Sequence, residues 1–127
     1  MNTKAVMTTS AVAMGLAGII LTFAPQETMG YLNVSGSGQG VLIVQLLGGV
    51  YFAFAMVNWT ARANLIGGIY GRPIAIGNLT HFMIGALALI KGYAKGSGPI
   101  VLGVTLAYGV FAILFAIVFF RHPVKQN

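Results

Sequence analysis

Residues 99–120 read PIVLGVTLAYGVFAILFAIVFF, twenty-two positions without one charged side chain. At 1.5 Å per residue a helix of that length is about 33 Å long, enough to cross a hydrocarbon core of about 30 Å. A run this apolar has no amphipathic face to turn toward water. Three further stretches match it: residues 5–24, ending before Pro25, residues 40–59, and residues 73–90 after Arg72. A span needs roughly 17–25 mostly apolar residues, and all four qualify. The third is the most polar, with Asn78, Thr80 and His81 inside it.

Composition agrees. The chain is 57% hydrophobic and only 6% charged, and its mean hydropathy is +0.89. Soluble domains carry about 25% charged residues. The expected fold is therefore all-α, an integral membrane bundle of four transmembrane helices forming one domain over residues 1–127. Lys4 before the first run also fits a secretory leader. Pro25 follows the only plausible cleavage point and no compact A-x-A site precedes it, so a retained span is expected.

A net charge of +6 and a pI near 10.1 invite a nucleic-acid reading, but the basic residues do not cluster. They stand singly or in pairs at the ends of apolar runs, the pattern of membrane flanks. With four alternating spans, Lys4, Arg62, Arg72, Arg121 and Lys125 share one side, and Lys91 and Lys95 the other. Short basic loops stay in the cytoplasm, so both termini are expected inside. Glu27, the only acid, falls on the outer side. Cysteine is absent, which excludes disulfides and thiolate metal sites.

The first outer connection, residues 25–40, reads as flexible and Gly/Ser-rich toward its end, with Met29, Tyr31 and Leu32 suited to the lipid interface. Its Gly36-x-Gly38-x-Gly40 pattern lacks the preceding strand and following Lys-Ser/Thr of a phosphate loop. Arg62 and Arg72 bracket the inner loop Leu65-Ile66-Gly67-Gly68-Ile69-Tyr70-Gly71. The Asn-x-Ser/Thr triplets at Asn33, Asn58 and Asn78 read as chance matches.

Small and polar residues recur at three-to-four spacing in every span. They are Ala11, Gly15, Gly18 and Thr22; Gln45, Gly48, Gly49 and Ala53; Asn78, His81, Gly85 and Ala88; and Thr105, Tyr108, Gly109, Ala112 and Ala116. Lipid supplies no hydrophobic drive between helices, so close packing and interhelical hydrogen bonds must hold them. Gly15, Gly18, Gly48, Gly49, Gly85 and Gly109 are the expected packing positions, with Leu, Ile, Val and Phe turned to lipid. A polar track of Gln45, Asn78, His81, Thr105 and Tyr108 is the candidate functional feature. His81 lies nine residues, about 13 Å, beyond Arg72, near mid-membrane. An intramembrane ionisable group suggests a proton relay or solute contact. The structural reading is a neutral imidazole bonded to Asn78, Gln45, Thr105 or Tyr108. No catalytic residue, metal site or cofactor is identified. His122, the other histidine, sits beyond the fourth span and makes no bis-His site with His81.

Phe23-Ala24-Pro25, Gly48-Gly49-Val50-Tyr51 and the four-span size resemble small bacterial membrane proteins of the DoxX-like and allied groups. The resemblance implies a four-helix fold in the bacterial inner membrane and carries over no functional residue. Small multidrug transporters use an acid in the first span, which is missing here. The leading expectation is a non-enzymatic protein acting by assembly, as an accessory subunit of a membrane complex or as a homo-oligomer, with lipid and other membrane subunits as partners and no nucleic acid. The alternative is a transporter or channel for a small solute, lipid or ion.

Single cysteines at Ser37, Ala63 and Gln126 test the orientation. An impermeant thiol reagent should label Ser37→Cys in intact cells, and Ala63→Cys and Gln126→Cys only after permeabilisation. The reverse pattern inverts the topology.

Overall fold

Pro25 has no N–H to give the Leu21 carbonyl, so the first long helix cannot run through it. In the computed structural model, which describes residues 1–123, α1 spans Thr3–Phe23 and a short helix α2, Pro25–Tyr31, restarts at the proline. Lys125 and Gln126, on which part of the charge bias and one cysteine test rest, lie outside the described residues. Three more helices follow: α3 Gly38–Ala61, α4 Arg72–Tyr93 and α5 Pro99–Phe120. The described residues contain no strand, only an isolated Gly67–Tyr70 bridge. The chain is all-helical, and α1, α3, α4 and α5 are each long and apolar enough to cross a membrane. It is a multi-pass membrane protein.

Two corrections concern the connection over residues 25–40. Its first half is helix α2, with Glu27 in the first turn complementing the dipole. α2 closes in a Schellman motif: Val34 N–H donates to Met29 O at 2.9 Å and Asn33 N–H to Gly30 O at 3.1 Å, with Asn33 left-handed at φ 54°. The glycine-rich half is not all loop. Ser37 caps α3, accepting from Gly40 N–H at 3.3 Å, and Gly38 and Gly40 are already helical.

The helices group into two compact units, Met7–Arg62 and Met1–Val6 with Ala63–Asn127. In the first, α1 meets α3 backbone to backbone. A Cβ on Gly18 would lie 2.9 Å from Gly48 O and 2.8 Å from Phe52 N, and one on Gly48 would lie 2.9 Å from Gly18 O and 2.8 Å from Thr22 N. Only paired glycines permit that approach, which suits Cα–H···O contacts between the helices. Gly15 makes an ordinary contact, its notional Cβ 3.6 Å from that of Ala55.

In the second unit α4 packs on α5 through rings. Phe82 and Phe115, both buried, stack at 5.6 Å between centroids, Phe82 stacks on Phe111 at 4.9 Å, and Tyr108 meets Phe82 edge-on at 5.2 Å. Each such pair adds roughly 0.5–1.5 kcal/mol beyond its burial. Gly85 makes room for this cluster, since a Cβ there would clash with the Tyr108 ring.

The expected stripes need correcting at these points. Gly49 and Gly109 would meet nothing with a Cβ added, so neither marks a close approach. On α3 the buried face is Gly48, Ala55, Asn58 and Ala61, and Ala53 is exposed. On α4 Ala88 is also exposed. Phe82 and Phe115 face inward rather than to lipid, because the room left by small neighbours is filled by rings.

The connection between α3 and α4 is a tight turn. Gly67 and Tyr70 exchange backbone hydrogen bonds of 2.8 and 2.9 Å, and Gly67 and Gly68 have φ of +136° and +57°. Gly67 sits against the end of α5: a Cβ there would lie 2.6 Å from Arg121 O and 2.9 Å from Val118 O. Gly68 sits against the His122 imidazole.

Gly85→Leu should drive α4 and α5 apart at Tyr108, at a cost of about 1–3 kcal/mol for overpacking. Leu87→Ala, at a site 61% exposed, should change little. Thermal aggregation of both purified variants in detergent measures the difference, and equal midpoints would contradict the packing described.

Candidate functional site

The polar side chains inside the spans divide by unit. In the Met7–Arg62 unit, Gln45 lies in the N-terminal half of α3, and its Nε2 donates to the Thr22 carbonyl at 3.3 Å. That carbonyl belongs to the last turn of α1, where helix geometry leaves acceptors without backbone donors. Gln45 therefore caps α1 from a neighbouring helix. Toward the other end of the same pair, Asn58 Nδ2 donates to Ser10 Oγ at 3.1 Å, and the Ser10 hydroxyl donates to Met7 O at 3.0 Å. Both residues are fully buried. This pair escapes a reading built on glycine spacing. The signal was a serine and an asparagine inside otherwise apolar spans, each near the charged end of its helix.

In the second unit His81 and Tyr108 come together. His81 Nε2 and Tyr108 Oη are 3.1 Å apart, and the two rings are tilted at 5.4 Å between centroids. His81 also meets Phe82 edge-on at 5.0 Å. The position follows from helix geometry: His81 and Gly85 are one turn apart on α4, and the glycine admits the Tyr108 ring whose hydroxyl reaches the imidazole. Asn78 and Thr105 also bond within their own helices. Asn78 Nδ2 donates to Ile74 O at 2.9 Å, and Thr105 Oγ1 to Val101 O at 2.6 Å, each one turn back on its own helix. Both are buried.

Among the described residues no buried side-chain nitrogen or oxygen lacks a hydrogen-bond partner, and no three His, Asp or Glu side chains gather as metal ligands. The chemistry available at the candidate positions is hydrogen bonding, with one imidazole–phenol pair able in principle to pass a proton. No family model, curated protein or solved structure matches the chain.

His81→Gln keeps a group able to bond the Tyr108 hydroxyl, so it should fold and assemble like the wild type. His81→Leu removes the bond at a cost of about 1 kcal/mol in a membrane setting. Full assembly of His81→Gln with complete loss of whatever phenotype a deletion produces would assign the imidazole a proton-transfer or solute-contact role instead.

Proposed function

We propose that this chain is a non-enzymatic membrane subunit that works by assembly, as an accessory component of a larger complex or as a homo-oligomer. The observation that carries the reading is where the polar groups inside the spans direct their hydrogen bonds. Gln45 holds the end of α1, Asn58 holds Ser10, Asn78 and Thr105 bond their own helices, and His81 bonds Tyr108. Each is engaged in building a helix or a helix pair. Meanwhile α3 and α5 expose rows of large apolar side chains, Leu42, Ile43 and Leu46 on one and Leu106, Val110 and Ile113 on the other. Such rows suit lipid or another membrane helix equally, and soluble parts long enough to carry a separate activity are absent from the described residues. The four-span size and the resemblance to DoxX-like proteins fit a bacterial inner membrane location, with both termini in the cytoplasm.

One observation favours a second reading. The His81–Tyr108 pair places an ionisable ring beside a phenol inside the membrane span, where such groups mark proton or solute routes. Under that reading the chain is a transporter or channel subunit, and His81 lines the route.

Mild detergent extraction at native expression, followed by native mass measurement and identification of co-migrating proteins, separates the two. A stoichiometric partner or a defined oligomer without flux in proteoliposomes is the expected result. A lone species that conducts an ion or solute in proteoliposomes, with flux abolished by His81→Gln, would overturn it.

A further inference from the structure

We propose that the turn between α3 and α4, with the end of α5, forms a seat for the headgroup of an anionic phospholipid. The turn is fixed in place. Ile66 is buried, Gly67 lies under the Val118 and Arg121 carbonyls, Gly68 packs on His122, and two backbone hydrogen bonds close Gly67 onto Tyr70. What this fixed turn presents outward is apolar: Ile69 is 68% exposed and Tyr70 48%. A loop at the polar end of a span has no reason to hold an isoleucine in water, and the interface is where an aliphatic tip and a tyrosine ring both find suitable surroundings.

Two arginines adjoin this turn in the fold. Arg72 opens α4, its guanidinium 5.5 Å from the centroid of the Phe119 ring, and Arg121 directly follows α5, its carbonyl against Gly67. Both side chains are exposed. Acidic side chains are nearly absent from the sequence. Its one acid is Glu27, on α2 after the first span, which alternation of the spans places on the opposite membrane face. An anion at the membrane surface can supply the countercharge that the side chains of this sequence, with one acid against seven basic residues, do not. Guanidinium forks match phosphate oxygens in pairs. A phosphate attached to a glycerol and acyl chains also satisfies Ile69 and Tyr70, which a free phosphate would leave in water. The combination selects an anionic phospholipid.

The test uses the full chain purified in a neutral detergent, with phosphatidylglycerol, phosphatidylcholine or inorganic phosphate added. Lipid retention is read by native mass spectrometry, and the thermal midpoint is followed in parallel. Phosphatidylglycerol should be retained and should raise the midpoint, and the other two should not. Arg72→Gln and Arg121→Gln should each weaken retention about fivefold, near the contribution of one basic residue at an anionic surface. Arg72→Lys should recover only part of what Arg72→Gln loses, because it restores the charge and not the paired fork, and Ile69→Ser should weaken retention with both arginines intact. Wild-type retention should fall as salt is raised, a measurement that needs no variant to fold. Equal retention of phosphatidylcholine, stabilisation by inorganic phosphate alone, insensitivity to salt, or unchanged binding in a folded Arg72→Gln/Arg121→Gln variant would each overturn the proposal.

Discussion

Hydrocarbon offers no hydrogen-bond partner, so every polar group placed within a span must find one inside the protein. This constraint accounts for more of the structure than any single contact. It explains why Gln45, otherwise out of place on an apolar helix, reaches the Thr22 carbonyl left by the end of α1. It explains why Ser10 and Asn58 are buried together and why Asn78 and Thr105 fold back on their own helices. It also explains why Tyr108, whose ring enters the space left by Gly85, points its hydroxyl at His81.

The same solvent removes the hydrophobic drive between helices, and the two units answer this differently. Between α1 and α3 the answer is proximity: Gly18 and Gly48 bring backbones together so that carbonyls and Cα hydrogens meet. Between α4 and α5 it is polarisable area, with Phe82, Phe111 and Phe115 stacked and Tyr108 across their edge. Glycine serves both, but in the first it admits a backbone and in the second a ring. A substitution to alanine at Gly18 or Gly48 thus meets rigid main chain, whereas at Gly85 it meets a side chain.

Spans are legible in this sequence because length and apolarity act over twenty residues and need no partner to be recognised. The helix pairs are only partly legible. Gly15, Gly18, Gly48 and Gly85 lie at contacts as their spacing predicts, and Gly49 and Gly109 do not, because spacing alone cannot say which of two adjacent small residues faces the neighbour. Phe82 and Phe115 are read as lipid-facing by composition, yet the room that small residues leave is filled by them. Helix α2 is missed because Pro25 and Gly30 read as loop signals, although a proline at the first helical position and an asparagine at the end define a short helix well. Of the candidate track, the His81–Tyr108 pair is anticipated among several possible partners. The Ser10–Asn58 pair depends on two helices being in register, which one chain's residue order does not display.

The cap that Gln45 places on α1 has a consequence for biosynthesis. Thr22 and Gln45 are separated by 23 positions along the chain, and the glycine face of α1 is likewise completed only by residues of α3. A ribosome delivering this protein to the membrane releases α1 before either is available. At that stage the first span carries an open carbonyl at its far end and an unfilled groove along its side. Both are resolved as α3 enters beside it, the carbonyl by Gln45 and the groove by Gly48, Phe52 and Ala55 further along the same helix. Insertion of α1 is therefore incomplete by itself, and the nascent hairpin of α1 and α3 is the smallest piece of the Met7–Arg62 unit whose interior is chemically closed.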